Sequence, residues 1–212
     1  MHRVLVVCLL SIVACGGREA NGHEDGSGST GSTKVSGDGD REQARFDADR
    51  KPEEVVKALG IKPGSVVADI GAGAGLMTVH IARAVKPGGK VVATEIDSAV
   101  LELMHNRMVE RGLDDIVERR VVAAETPGLE PGMYDAILVA EVDHLLADPV
   151  AWLKAAIPAL KPGGRLVISN RVYRRSKSLA AAEKAGLKLV SESNPVSTHF
   201  VAVFVAPTGG SK

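Results

Sequence analysis

Short apolar runs alternate with amphipathic segments along most of this chain. The first run, at residues 65–70, is rich in β-branched residues and is bounded by Pro63-Gly64 and by glycines, which is typical of a buried central strand. Further apolar segments of strand length follow it. The predicted strands are residues 65–70, 90–96, 116–122, 134–140, 165–169, 188–192 and 199–206.

The segments between these strands carry helix signals. Pro52, followed by two glutamates, starts a helix that Gly60 ends, and Pro158 can kink a later helix near its end. Strands that alternate with helices predict an α/β fold, doubly wound, with a mostly parallel seven-stranded sheet. The short link through Pro195 predicts that the last strand is antiparallel.

A glycine-rich turn follows the first strand, with the pattern Asp69-x-Gly71-x-Gly73-x-Gly75. Glycines let the backbone turn sharply and let a ligand approach without meeting a Cβ. A dinucleotide fingerprint requires glycine at its sixth position, where this chain has Leu76, so a nicotinamide-dependent oxidoreductase is disfavoured. The alternative is that these glycines serve only the turn.

The second predicted strand ends near Glu95, twenty positions after Gly75. An acidic side chain at this strand tip can accept hydrogen bonds from both hydroxyls of a ribose. The alternative is an ordinary exposed carboxylate at the end of a strand. The spacing from the glycine turn favours the ribose contact.

The glycine pattern resembles motif I of the class I S-adenosylmethionine-dependent methyltransferases, and the Lys-Pro-Gly-Gly turn at residues 161–164 is similar to another feature of that family. The resemblance covers about residues 51–206 and implies a Rossmann-like methyltransferase fold with S-adenosylmethionine as the cofactor. It also implies contacts to the methionine part from the turn, to the ribose from Glu95, and beside the adenine from the segment after the third strand. The residues implied for cofactor binding are Asp69, Gly71, Gly73, Gly75, Glu95, Ala124 and Glu125.

The segment after the fourth strand, residues 140–144, bears on the substrate. It lacks the Asn/Asp-Pro-Pro-aromatic motif of enzymes that methylate nucleobase or glutamine amines, and it resembles small-molecule methyltransferases in which a histidine follows this strand. His144 is therefore a candidate base for a hydroxyl or thiol, and Glu141 a candidate catalytic residue where substrate and methyl group meet. The alternative is that His144 only packs against or caps the turn, while Asp143 is predicted to be solvated.

Other polar side chains have two interpretations. His199 is a weaker candidate base, and His80 and His105 are predicted surface residues on helices. The connection after the fifth strand is short and leaves little material for a lid. Its side chains could bind an acidic substrate or form a solvated surface: Arg171, Tyr173, Arg174 and Arg175.

Charge and cysteine content exclude some partners. The 26 basic and 26 acidic residues balance, which gives no support for a nucleic-acid partner. The two cysteines are Cys8 and Cys15, so the globular part has no disulfide and no cysteine-based metal site. No metal site is predicted, and the oligomeric state is left open.

The N-terminus resembles a bacterial lipoprotein signal peptide. A basic Arg3 precedes an apolar segment at residues 4–14, and Ile12-Val13-Ala14-Cys15 is similar to a lipobox. The predicted organisation is a signal peptide at 1–14, a flexible Gly/Ser-rich tether at 15–44, a methyltransferase domain at 45–207 and a tail at 208–212. Cleavage and lipidation would anchor the protein to a membrane of the cell envelope, whereas a chance apolar start would leave it in the cytoplasm.

The sequence predicts a methyltransferase that acts on a small molecule at oxygen, sulfur or nitrogen. A rival function is a lipoprotein that keeps this fold as a binding module without methyl transfer. Export favours the rival because S-adenosylmethionine is made in the cytosol. The intact glycines and Glu95 favour a bound cofactor.

Lipidation makes a direct prediction. Mass spectrometry of the mature protein should show an N-terminus at Cys15 that carries acyl chains, and Cys15→Ser should release the protein from membranes, because more than one acyl chain is needed for stable anchoring. The control is Cys8→Ser, which leaves the proposed cleavage site intact. An intact Met1 on a soluble protein would contradict the anchor.

Overall fold

The computed structural model describes residues 35–207, which form one seven-stranded sheet flanked by helices. The strand order is β3-β2-β1-β4-β5-β7-β6, and β7 runs antiparallel to both of its neighbours. The predicted fold class is therefore confirmed. The strands are β1 Val66–Ile70, β2 Lys90–Glu95, β3 Val117–Val121, β4 Tyr134–Ala140, β5 Leu160–Arg171, β6 Lys188–Val196 and β7 His199–Val205.

Six α-helices accompany the sheet, with short 3₁₀ turns at Ile157–Ala159 and Val172–Arg174. The predicted helix through Pro158 instead ends at Ala156, and the proline lies in the first 3₁₀ turn because its ring cannot continue an α-helix. The helices are α1 Val35–Arg50, α2 Pro52–Leu59, α3 Leu76–Val85, α4 Ser98–Glu110, α5 Pro149–Ala156 and α6 Arg175–Lys184.

Local signals fix where several helices begin and end. The Asp97 carboxylate accepts a hydrogen bond from the Ala99 N–H at 2.8 Å at the start of α4, and Asp148 caps α5 through the Ala151 N–H at 2.9 Å. Gly60 ends α2 with φ of 65°, a left-handed conformation that favours glycine. These contacts satisfy backbone groups that a helix end leaves without partners.

Two apolar layers hold the helices against the sheet. One layer includes Leu59 of α2, Ile81 of α3 and Met104 of α4. The other includes Trp152 and Leu153 of α5 and lies on the opposite face of the sheet. Both faces of the central strands are therefore buried, which explains their almost continuous apolar sequences.

Helix α1 corrects one predicted boundary. The tether was predicted to reach residue 44, but residues 35–44 form the first part of α1. Tertiary contacts hold this segment as a helix although its composition is polar. Gln43 is 8% exposed, and its Nε2 donates to the Leu76 carbonyl at 3.1 Å. Phe46 packs against the first apolar layer.

The remaining terminal predictions fall outside the described residues. These are the signal peptide, Cys15, the tether as far as residue 34, and the tail. Within residues 35–207, no helix is long and apolar enough to cross a membrane.

The two helical histidines are less exposed than predicted. His80 Nε2 lies 2.7 Å from an Asp47 carboxylate oxygen on α1, and His105 Nδ1 lies 3.0 Å from an Asp114 oxygen. Their side chains are 18% and 34% exposed, respectively. His80 therefore helps to dock α1, a role that required tertiary contacts to recognise.

A matched pair of leucines tests the core. Leu153→Ala removes a fully buried side chain from the second layer and should lower the free energy of unfolding by about 2–5 kcal/mol. Leu103→Ala is the control, since Leu103 is 59% exposed on α4 and its loss should cost less than about 0.5 kcal/mol. Urea unfolding measures both variants, and equal effects would contradict the described packing.

Candidate active site

The candidate site lies at the carboxyl end of β1, where the strand order reverses. Strand β1 pairs in parallel with β2 on one side and with β4 on the other. The connections leaving β1 and β4 therefore diverge to opposite faces of the sheet and leave a crevice between them. Ligands of doubly wound folds bind in such a crevice.

The glycine turn borders this crevice in a conformation that requires glycine. Gly71 has φ of 59°, and a Cβ there would lie 2.4 Å from Val142 Cγ2. Gly73 has φ of 55°, but a Cβ there would meet nothing within 4 Å. Gly71 therefore permits close packing against the segment after β4, and Gly73 faces open space that a ligand can enter.

Two cavities flank the turn and share Gly71. The donor cavity has a volume of about 160 Å³ and is lined by Phe46, Arg50, Val55, Asp69, Gly71, Ala72, Gly73, Ala74, Leu76, Met77, Ala140, Glu141 and Ser169. The base cavity has a volume of about 190 Å³ and is mostly apolar. It is lined by Ile70, Gly71, Thr94, Glu95, Ile96, Val122, Ala123, Ala124, Thr126, Val142, Leu145, Leu146 and Trp152.

Asp69 is a buried carboxylate in the wall of the donor cavity. It is 1% exposed, and its Oδ2 accepts a hydrogen bond from Thr78 Oγ1 at 2.7 Å. Burial raises the pKa of Asp69 to about 7, the Thr78 hydrogen bond opposes that rise, and the nearby Glu95 carboxylate adds to it. A positive charge in the cavity would favour the ionised form.

Glu95 lies between the glycine turn and the base cavity. Its Oε2 accepts a hydrogen bond from the Gly73 N–H at 3.0 Å, and its Oε1 accepts one from the Ile96 N–H at 2.7 Å. The first bond connects Glu95, which lines the base cavity, to Gly73, which lines the donor cavity. Each carboxylate oxygen still has acceptor capacity for a ligand hydroxyl.

Glu141 stands at the end of β4, in the donor cavity, with φ of 56°. Its N–H donates to the Ser169 carbonyl at 2.8 Å, which holds this uncommon conformation for a residue other than glycine. Its carboxylate meets Arg50 Nη1 at 2.5 Å, Arg171 Nε at 2.9 Å and His199 Nε2 at 3.1 Å. Burial raises the pKa of Glu141, but the charge of Arg50 and the bond with His199 outweigh burial and lower it overall.

His144 is exposed and lines neither of these cavities, and its hydrogen bonding defines its tautomer. Asn170 Oδ1 accepts from the Arg171 N–H at 2.7 Å and Asn170 Nδ2 lies 2.6 Å from Asp143 Oδ1, so the amide orientation is fixed. The same Nδ2 lies 3.1 Å from His144 Nδ1, which must therefore accept, and Nε2 carries the proton. Partial burial, with the charge of Arg174, lowers the pKa of His144.

Two other polar residues near the site are buried. Asp143 was predicted to be solvated, but it is 6% exposed and also accepts from Ser178 Oγ at 2.5 Å. The prediction was wrong because helix α6 packs over this turn, which the local sequence does not reveal. His199 is 3% exposed, and burial lowers its pKa although Glu141 opposes that effect.

The remaining predicted residues divide between the cavities and the surface. Ala124 lines the base cavity, whereas Glu125 is exposed and does not. The Arg174 guanidinium stacks 5.2 Å from the centre of the exposed Tyr173 ring, and Arg175 pairs with Glu192. Of the three arginines, Arg171 at the end of β5 alone reaches Glu141 among the described contacts.

The sequence interpretation missed the contribution of α1 to the site. Phe46 and Arg50 line the donor cavity from this helix, and the Arg50 guanidinium lies 5.6 Å from the centre of the Phe46 ring. Phe46 is an aromatic residue directly after a polar tether, and this position could have indicated that it packs against the domain. No local signal pairs Arg50 with Glu141, because 91 positions separate them.

Comparisons with known proteins agree with this geometry. Residues 68–166 match a family model described as a methyltransferase domain. A ubiquinone biosynthesis O-methyltransferase from Xanthomonas campestris pv. campestris (strain B100) is 29% identical over 156 residues, which is 73% of this chain and 62% of the relative. The chain therefore spans less than two thirds of the length of that relative.

Known structures share the fold at lower identity. A SAM-dependent methyltransferase from Aquifex aeolicus has a TM-score of 0.70 at 22% identity, covering 79% of this chain and 96% of that one. A geranyl diphosphate methyltransferase in complex with SAM has a TM-score of 0.63 at 18% identity, covering 85% and 93%, respectively. Part of this chain therefore matches a methyltransferase domain, and the chain shares the fold of these known structures.

Proposed function

We propose that this domain binds S-adenosylmethionine across the glycine turn and transfers its methyl group to a small molecule. The observation that carries the proposal is the pair of cavities that meet at Gly71, with Glu95 on the rim between them. An apolar cavity, a diol acceptor and an acidic cavity follow one another in the order of adenine, ribose and charged methionine. The chemistry of the lining fits each part of the cofactor.

The base cavity suits an adenine ring. Ile96, Leu145 and Trp152 supply apolar surface, and Ile96 and Leu145 are 52% and 71% exposed. A ring that packs against these side chains would remove that apolar surface from water. Glu95, at the rim of the same cavity, is placed to accept hydrogen bonds from the ribose hydroxyls.

The donor cavity suits the charged end of the cofactor. Asp69 and Glu141 place two carboxylates in its wall, while S-adenosylmethionine carries a sulfonium and an ammonium group. Glu141 is already paired with Arg50 and Arg171, so Asp69 is the more available anion. Gly73 leaves room for the ligand to pass beside the turn.

Methyl transfer needs alignment more than activation of the donor. The sulfonium is already electrophilic, so the protein contributes proximity and an in-line approach for the acceptor. The donor cavity shares Phe46, Arg50 and Leu76 with an open groove beside α1, which offers the acceptor a path. We further propose that the substrate is a small molecule, in line with the similarity to a ubiquinone biosynthesis O-methyltransferase.

The rival function, a binding module without transfer, uses the same cavities, and fold alone does not decide between them. Membrane anchoring through Cys15 belongs to either proposal. Formation of S-adenosylhomocysteine separates the two functions, whereas cofactor binding does not.

Binding of the cofactor tests the proposed site. Titration calorimetry of residues 35–212 should detect S-adenosylmethionine and no NAD. Glu95→Gln removes a charge-assisted acceptor worth about 1.5–3 kcal/mol, so the Kd should rise by roughly 10- to 150-fold. Glu102→Gln, on the exposed face of α4, is the control and should bind like the wild type. No binding to the wild type at millimolar cofactor would refute the proposed function.

Ionisation of Asp69 gives a second test. With its pKa raised to about 7, the free protein holds a proton on Asp69 below that pH, and a cationic ligand favours its release. Affinity for S-adenosylmethionine should therefore rise as pH increases from about 6 to about 8, with proton uptake by the buffer. Calorimetry in buffers of different ionisation enthalpy measures that proton.

Asp69→Asn is the matched control for the proton, since it keeps the shape and the acceptor for Thr78. This variant should bind more weakly and lose most of the pH dependence. A wild-type affinity that is flat across the same range would show that Asp69 does not face the charged end of the cofactor.

A further inference from the structure

A third cavity, the acceptor groove, opens beside the donor cavity and has a volume of about 460 Å³. It shares Phe46, Arg50 and Leu76 with the donor cavity, so the two spaces adjoin. The groove is lined by Glu42, Arg45, Phe46, Asp49, Arg50, Leu76, Arg171, Thr198 and His199. Nothing in the proposed binding of S-adenosylmethionine uses this groove.

The charges of the groove do not balance at its inner end. Glu42 pairs with Arg107, outside the groove, and Arg45 lies 3.8 Å from Asp49. Arg50 and Arg171 remain, and both contact the single carboxylate of Glu141. One carboxylate therefore faces two guanidinium groups, which leaves one positive charge beside the proposed methyl donor.

Arg50 and Arg171 each keep N–H groups that make no hydrogen bond to the described residues. Arg171 uses only Nε toward the described residues, at 2.9 Å from Glu141, and its side chain is 48% exposed. Among the described hydrogen bonds, Arg50 uses only Nη1, at 2.5 Å from Glu141. Each guanidinium has five N–H donors in a planar fork that matches a carboxylate.

None of the imidazole and carboxylate groups around the end of β4 is arranged as a base for an incoming hydroxyl. Asp69, the other carboxylate of the donor cavity, does not line the acceptor groove and is proposed to face the cation of the cofactor. His144 Nδ1 accepts from Asn170 and its Nε2 carries the proton. Glu141 accepts from three donors. The ionised Glu141 requires a proton on His199 Nε2, and the remaining His199 Nδ1 lies 2.9 Å from the Thr198 hydroxyl.

These contacts favour an acceptor that is ionised before it enters. We propose that the substrate is a small organic acid whose carboxylate binds between Arg50 and Arg171 and receives the methyl group as an ester; this rests on the proposed methyl transfer. Phe46 and Leu76 line the same groove and would contact an aromatic or alkyl body of the acid.

The proposed step balances without a base. A lone pair of the carboxylate oxygen forms the new bond to the methyl carbon, the sulfur–methyl bond breaks, and its electron pair stays on sulfur. The anion and the sulfonium become a neutral ester and a neutral thioether, and no proton moves. A hydroxyl acceptor would instead have to lose a proton, for which these residues provide no poised acceptor.

Acceptor chemistry can be read from the product. S-adenosylmethionine with a radiolabelled methyl group is incubated with the protein and phenylacetate or octanoate, and in parallel with catechol or 4-cresol. Carboxylates should yield base-labile label that is released as methanol, as esters do. At saturating donor, turnover should be nearly flat from about pH 6.5 to about pH 9, because a carboxylate is fully ionised there.

Arg171→Gln should raise the KM for the carboxylate about 10- to 100-fold, because it removes charge-assisted hydrogen bonds. Its kcat should change only a few-fold, and its affinity for S-adenosylhomocysteine should stay close to wild type. Arg171→Lys should recover part of the loss. Arg83→Gln, an exposed position on α3 outside the groove, is the control with unchanged KM. Titration of phenylacetate or octanoate into protein saturated with S-adenosylhomocysteine gives a readout independent of turnover.

Three results would overturn the inference while leaving the proposed function standing. One is base-stable label on catechol or 4-cresol with none on the carboxylates. Another is failure of both carboxylates to bind or to be methylated by protein that binds S-adenosylmethionine. The third is an Arg171→Gln variant with wild-type KM for a carboxylate. Loss of S-adenosylmethionine binding itself would instead refute the proposed function.

Discussion

The ion-pair cluster around Glu141 is the constraint on which the rest of the site depends. It joins the end of β4 to α1 through Arg50, to the end of β5 through Arg171, and to the start of β7 through His199. The backbone of Glu141 is held in a left-handed conformation at the same point. A partly buried carboxylate with several donors is costly to leave unpaired, so the four elements are tied to one arrangement.

The two carboxylates of the donor cavity differ because their partners differ. Asp69 has a hydroxyl partner and a like charge nearby, and burial raises its pKa to about 7. Glu141 has two guanidinium partners and an imidazole, and its pKa falls despite burial. The donor cavity therefore contains two carboxyl groups that behave differently: Asp69 can exchange a proton near neutral pH, and Glu141 stays ionised. Asp69 can therefore lose its proton when a cationic ligand binds, while the ionised Glu141 keeps Arg50 and Arg171 in place.

Much of the fold could be predicted from the sequence because its signals are local. Apolar runs and glycine turns predicted the seven strands, and the short link before the last strand predicted its antiparallel pairing, although β6 extends past Pro195 to Val196. The glycine turn and Glu95 also follow from spacing along the chain. The burial of Asp143 could not be predicted in this way because it depends on α6, and that of His199 because it depends on the position of β7 between β5 and β6. The pairing of Arg50 with Glu141 has the same long-range origin.

The way in which α1 packs on the domain also affects the rate of ligand exchange. This helix lines both the donor cavity and the acceptor groove, yet apart from Phe46 its described contacts are mostly polar pairs, including His80 with Asp47 and Arg107 with Glu42. Pairs that remain near solvent contribute little free energy individually. Segments with few buried apolar contacts open locally far more often than the core unfolds. Undocking of this one helix must also break the partly buried pair of Arg50 and Glu141, and it would expose both spaces together. In the proposed reaction, departure of the cofactor product and entry of the next acceptor would then share a single kinetic gate.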